Sequence, residues 1–193
     1  MKEKIKIIFF VIFLGIVSGS LLLGVNKFTE KRILQNQQLK IKKAVLDVFE
    51  IPYKKEDIET VFNQNIEIVK LDGVSFYISK NEKAVAFEFS GSGLWGPIHG
   101  VIAINNDMET IKGISIIHQE ETPGLGGRIA EKDYLAQFKG KKFLPEIKIV
   151  PPGKSTGENQ VDAITGATGT SKSFETLLNT NIQKKLNLFK QRR

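Results

Sequence analysis

The spacing of apolar residues changes character along the chain. Residues 7–25, IIFFVIFLGIVSGSLLLGV, contain no charge. At ~1.5 Å per residue a helix of that length spans roughly 28 Å, close to the hydrocarbon thickness of a bilayer. From 29 to 50 the apolar positions Ile33, Leu34, Ile41, Val45, Val48 and Phe49 fall at helical spacing, with basic residues between them, until Pro52 ends the run. Alternation then takes over. IEIVKL (66–71) and VSFYIS (74–79) flank Asp72-Gly73, a two-residue hairpin signal. KAVAFEF (83–89), IHGVIAI (98–104) and IKGISIIH (111–118) read as further strands, the last two joined by an Asn-Asn-Asp turn. AEKDYLAQF (130–138) predicts a short helix, and EIKIV (146–150) a strand stopped by PPG. Residues 171–188 predict a final helix with Phe174, Leu177, Leu178, Ile182 and Leu186 on one face. The fold class is α+β: a single N-terminal transmembrane helix, then a domain with a mainly antiparallel sheet and flanking helices.

The 193 residues leave room for one domain plus extensions. Cysteine is absent, which excludes thiolate metal sites, Cys-held iron–sulfur clusters, cysteinyl flavin links, lipidated Cys and disulfides. The net charge of +7 is unevenly placed. Residues 1–43 and 183–193 are strongly basic, whereas 44–182 are net acidic. Basic ends suit anionic lipid headgroups better than a nucleic-acid face on the domain. A cleaved signal peptide would have a shorter apolar core and a small-residue cleavage site, and GVNKFTE offers none. The expected divisions are 1–6 cytoplasmic tail, 7–26 transmembrane helix, 27–52 helical stalk, 53–188 domain and 189–193 basic tail. Lysines lie on both sides of the span. A short cytoplasmic tail therefore places the large domain outside the inner (plasma) membrane by the usual habit of such anchors rather than by charge count.

Several motif-like strings lack the context that their chemistry needs. GSGLWG (91–96) has the glycine spacing of a dinucleotide loop, but Pro97 and a β-like run follow it instead of a helix. PPGKS (151–155) ends like a phosphate loop but has Lys148 where the first glycine belongs. His99 and His118 have no third ligand at metal spacing. No residue is assigned a catalytic or metal-ligating role.

Two stretches remain. HQEETPGLGG (118–127) sets two carboxylates beside a Thr-Pro turn and three glycines, whose backbones can adopt unusual geometry and admit a flat ligand. DAITGATGTS (162–171) holds four hydroxyls among small residues. A helix cap by Ser171 or Thr170 would account for one of them. It would not account for Asp162 or for the small residues around Thr168. A hydroxyl there is open to a bulky reagent. The following helix's amino end favours an attached phosphate, and Lys154 or Lys172 could add charge.

Asp162-Ala-Ile-Thr165-Gly166-Ala167-Thr168 resembles the D-x-x-[ST]-G-A-T flavinylation motif of the FMN-binding subunits of two ion-translocating complexes. These are the sodium-translocating NADH:quinone reductase and the Rnf complex, each of which has a subunit of this kind. GLWGP (93–97) and ETPGLGG (121–127) resemble two more segments of that family, in the expected order. The resemblance implies FMN joined through its phosphate to Thr168 by a separate, magnesium-dependent flavin transferase that uses FAD. It implies a supporting role for Asp162, with Thr165, Gly166 and Ala167 completing the motif. It also places Glu121, Thr122, Leu125, Gly126 and Trp95 against the flavin. The function implied is that of a redox subunit of a translocase, relaying electrons beside polytopic and redox partner subunits and not catalytic alone. The ion path would lie in those partners, because a single span without ionisable residues cannot conduct ions. Chain length favours the Rnf type, a ferredoxin:NAD complex, whereas GLW is closer to the NADH:quinone reductase type; length is the stronger argument, so the Rnf type is expected. A stand-alone extracytoplasmic FMN carrier and a non-redox anchored scaffold are the alternatives.

Overall fold

No proline occurs before Pro52, and the first helix runs unbroken as α1, Lys2–Val48, in a computed structural model that describes residues 2–191. The basic tail 189–193 ends at Arg192 and Arg193, which lie outside the described residues. The chain divides into two compact units, Met1–Leu39 and Lys40–Arg193. In the first, an 18-residue window of α1 has a mean hydropathy of 2.6 and none of it is buried. This is a helix long and apolar enough to cross a bilayer. The predicted span and stalk are thus parts of one helix.

The second unit carries a five-stranded antiparallel meander. β1 (Ile66–Leu71), β2 (Val74–Ser79), β3 (Val85–Ser92), β4 (Pro97–Ile104) and β5 (Ile111–Gln119) lie side by side in chain order. Asp72 and Gly73 both take positive φ, 45° and 78°, the primed turn that a two-residue hairpin requires. The structure differs from the sequence pattern in three places. It adds a helix that the pattern does not predict, α2 (Ile58–Asn65). The predicted helix at 130–138 is a 3-10 turn, Gly126–Ala130, followed by α3, Lys132–Ala136. The second, small sheet pairs β6 (Lys148–Val150) with an unforeseen β7 (Gln160–Asp162) in parallel.

The last helix, α4, covers Thr168–Lys190, starting three residues before its predicted position because Ser171 serves the turn instead of capping. Its apolar face lies on one side of the sheet. Phe174 meets Phe89 and Phe138 with ring centroids 6.2 and 5.7 Å apart, and Phe189 meets Phe76 at 5.1 Å. The other side of the sheet presents Tyr77, Ala86, Val101 and Ala103, all buried. There Phe62 of α2 stands edge-on to Tyr77, and the backbone of Val48 lies against Gly113. Polar side chains of α4 also replace missing strand partners. β2 pairs with β3 only as far as Phe87. Beyond it, Lys185 Nζ donates to the carbonyl of Glu88, and Asn181 Nδ2 to that of Ser90 at 3.3 Å. Asn179 bonds both the N–H and C=O of Ile147, each at 2.9 Å. Backbone groups are thereby satisfied where the sheets end.

Candidate functional site

The three sequence segments meet at one end of the second unit. β3 and β4 are joined by residues 93–96, closed by Gly93 N–H donating to Gly96 O at 2.8 Å. This is a strand connection, so the glycine-rich string opens no helix. β5 ends at Gln119 and leads into 120–127. Here Pro123 and Gly124 form a turn, with Leu125 N donating to Thr122 O at 3.1 Å and Gly124 at φ 73°, as a type II turn demands. β7 leads through a turn at 164–167, with Gly166 at φ 80°, into the start of α4.

Glu121 lies at the junction and is only 4% exposed. Its Oε1 accepts from Leu94 N at 2.7 Å and Trp95 N at 3.1 Å. Its Oε2 accepts from Thr170 Oγ1 at 2.6 Å. Both of its oxygens are thereby engaged, one by the loop and the other by the first turn of the last helix. The glycines around it are required by contact. A Cβ at Gly126 would come 2.5 Å from Thr170 Oγ1, and one at Gly93 would overlap Glu121 Oε1.

The four hydroxyls of 162–171 divide cleanly. Thr170 and Ser171 are buried, at 2% each. Ser171 Oγ accepts from Ile164 N and donates to Ala167 O, 3.1 and 3.0 Å away. Neither caps the helix, so the alternative reading of the stretch as a helix cap does not account for either hydroxyl. Thr165 and Thr168 are exposed. Thr168 is the first residue of α4, whose first turn has no acidic residue and no side-chain cap. The free amides and the helix dipole make this end receptive to an anion. Leu94 and Leu125, which approach Gly169 and Gly166, stand exposed at 51 and 45%, and Trp95 of the same loop as Leu94 is exposed at 73%. Leu94 lies so close to Gly169 that a Cβ there would be 2.8 Å from its Cδ2. Thr122 is exposed and Gly126 buried.

Asp162 and Lys172 both find partners outside the turn. Asp162 turns to the 153–155 loop, accepting from Lys154 N at 3.0 Å and Ser155 N at 2.9 Å. The Ser155 amide is the main reason its carboxyl sits below the usual aspartate range. Lys172 is engaged in an ion pair with Glu175, so it is no free counter-charge. His99 and His118 are opposite one another on β4 and β5 and bond to Glu88 and Glu120, each at 3.0 Å. The His99 hydrogen bond holds Glu88 below the ordinary carboxylate range. A shallow groove bounded by Ser90, Ser92, Lys172 and Thr176 runs beside α4 and includes none of the residues expected to hold a cofactor. Sequence reasoning missed the roles of Gly93, Gly169 and Thr170. The signal available was glycine on either side of an apolar pair in GLWG, which marks a turn packed tightly from inside.

The turn thus sets an exposed hydroxyl at an uncapped helix start, with the exposed Leu94 and Leu125 packed on the adjoining Gly169 and Gly166. Residues 93–183 match the FMN-binding domain family. The chain is 31% identical over 154 residues to the NqrC-type subunit of the Na(+)-translocating NADH-quinone reductase of Vibrio vulnificus, covering 77% of this chain and 59% of that protein. It therefore spans 59% of that relative's length. The solved NqrC-type subunit of the same enzyme from Parabacteroides distasonis is 30% identical with a TM-score of 0.63, over 77% of this chain and 92% of that one. The NqrC structure of Shewanella oneidensis shares the fold, with a TM-score of 0.66 over 72 and 88% of the two chains at 20% identity. The chain belongs to the family of FMN-binding domains that includes these subunits.

Proposed function

We propose that this chain is a membrane-anchored flavoprotein subunit of an ion-translocating electron-transport complex, with FMN linked through its phosphate to Thr168. The observation that carries the reading is the convergence of GLWG, ETPGLGG and the hydroxyl-rich turn around a Thr that is exposed and stands first in α4. Thr170 and Ser171 are buried and hydrogen-bonded, which leaves Thr165 and Thr168 as acceptors. The uncapped amides of α4 would hold the phosphate, and Leu94, Trp95 and Leu125 would flank the ring. Thr122, Gly126, Gly166 and Ala167 shape the backbone around it. Asp162 supports the site from behind by fixing the 153–155 loop. When bound, FMN supplies one- and two-electron redox chemistry, and the protein fixes its position and its exposure to water.

The helix of residues 2–48 would anchor the domain in the inner (plasma) membrane, with the domain on the outer side. Polytopic and redox subunits of the same complex, and a flavin transferase for maturation, are the partners this requires. Between the two complex types, the names of the relatives and of the P. distasonis protein support the NADH:quinone reductase type over the Rnf type that the sequence reading expects. Reduction of the chain's flavin in native membranes by NADH, and not by reduced ferredoxin, would agree with the NADH:quinone reductase type; the opposite pattern would select the Rnf type.

Attachment is tested on a denaturing gel after co-expression with the transferase. The wild-type band should fluoresce. Thr168→Ala should abolish the signal, and Thr165→Ala should retain most of it. A fluorescent Thr168→Ala band overturns the assignment. A mass spectrum of the peptide containing 162–171 locates the bond independently.

A further inference from the structure

Among the described residues no main-chain hydrogen bond joins 121–127 to 93–96 or to 164–171. The hydrogen bonds between these segments that the structure does show run through one side chain, that of Glu121. We propose that Glu121 is a positioning residue that clamps the β3–β4 loop and the first turn of α4 into a single site, and that it does so by hydrogen-bond geometry rather than by its charge. The proposal rests on the reading of Thr168 as the attachment point. One oxygen holds the amides of Leu94 and Trp95, and the Leu94 side chain packs on Gly169, next to Thr168. The other holds Thr170, two residues after Thr168 on the same helical turn. Moving that carboxylate therefore moves both walls of the site. Burial makes the arrangement consequential, since a displaced carboxylate would leave Thr170 Oγ1, itself buried, without its acceptor. The glycines at 93 and 126 keep the space that the carboxylate occupies.

Geometry and charge make opposite demands. Glu121→Gln keeps the length and the oxygen that accepts two amides. Its NH2 can donate to Thr170, whose hydroxyl can reverse and accept. Glu121→Asp keeps the charge but is one methylene shorter and cannot reach both the loop and Thr170. Thr170→Val breaks the link from the other end while leaving the carboxylate in place.

The experiment uses the full-length chain in detergent, with transferase and FAD supplied, and measures the initial rate of covalent labelling. The glutamine variant should label within about threefold of wild type, and the aspartate and valine variants at least tenfold more slowly. A second readout needs no flavin. Trp95 is the single tryptophan of the chain, so fluorescence anisotropy reports the loop alone. It should stay high in wild type and Glu121→Gln and fall in Glu121→Asp and Thr170→Val, with unchanged circular dichroism showing that the domain is folded. Loss of labelling and of anisotropy in Glu121→Gln, or retention of both in Glu121→Asp, overturns the clamp. If wild-type protein takes no flavin at all, the Thr168 reading fails and the anisotropy series alone decides the role of Glu121.

Discussion

Gly93→Ala is the sharpest test of how tightly the site is built. Gly93 has no left-handed φ, so alanine meets no backbone penalty there and the cost is contact alone. The added Cβ would overlap Glu121 Oε1 and lie 2.8 Å from Ile98 Cδ1 and 2.9 Å from Gly96 O. Ile98 is fully buried, and Gly96 O is the acceptor that closes the turn. Neither can retreat, so the carboxylate must. Its movement weakens the bonds from Leu94 N, Trp95 N and Thr170 Oγ1. Hydrogen bonds to a charged group contribute about 1.5–3 kcal/mol each, and overpacking costs about 1–3 kcal/mol. Water reaches the exposed side of the loop and replaces part of what is lost, so the expected total is about 3 kcal/mol, within those same ranges. At roughly 2–4 °C per kcal/mol for a domain of this size, Tm should fall by about 6–12 °C. Gly73→Ala is the control. Its φ is +78° and nothing lies within 4 Å of the new Cβ, so it pays only the left-handed cost of about 1–2 kcal/mol. Near-ultraviolet circular dichroism of the full chain in detergent follows the domain without reporting the membrane helix. A Gly93→Ala protein no less stable than Gly73→Ala would refute the packing account.

Three further outcomes are expected. Phe189→Ala should lower the urea midpoint by the equivalent of about 3 kcal/mol, because its ring is buried 5.1 Å from that of Phe76; an unchanged midpoint would mean that the last turn of α4 contributes nothing. Asp162 has a depressed carboxyl in the folded protein, so its hold on the 153–155 loop is complete above about pH 4 and is lost as pH falls through the lower folded value. Protection of the Lys154 and Ser155 amides, taken relative to the intrinsic exchange rate at each pH, should therefore fall on the acid side only, and Asp162→Asn should remove that dependence. Finally, the chain lacks cysteine and Glu158 has an exposed side chain, so Glu158→Cys gives a unique label point. A membrane-impermeant maleimide should reach it in intact cells once any outer barrier is opened, and protection until lysis would put the domain in the cytoplasm.

The strands are readable from sequence because alternation and turn chemistry agree at the same places. Asp72-Gly73 fixes β1 and β2, and apolar residues at every second position continue through β5. The small parallel sheet is not readable. β7 is three residues, Gln160–Asp162, too short for a period, and its partner strand is chosen by tertiary contact. α2 escapes because its eight residues (IETVFNQN) carry only two buried positions, Ile58 and Phe62. At the site, the residue types are legible but their partners are not. Sequence places Asp162 beside Thr168, yet the carboxylate faces a loop eight residues upstream. It separates Glu121 from Thr170 by 49 positions, a distance across which no local pattern can show a hydrogen bond.

The pairing of α4 with the end of β3 carries a mechanical consequence. Asn181 and Lys185 are four residues apart and grip carbonyls two residues apart, at Ser90 and Glu88. Four helical residues advance about 6 Å, and two strand residues about 6.7 Å, so helix and strand mesh like rack and pinion. A slide of α4 along β3 releases both carbonyls at once, and Leu177 and Phe189, four residues beyond either donor, cannot replace them. The axial position of Thr168, about 20 Å up the same helix from Asn181, is therefore indexed rather than adjustable. The start of the helix would keep a constant position on the sheet through thermal motion that would let an unindexed helix creep.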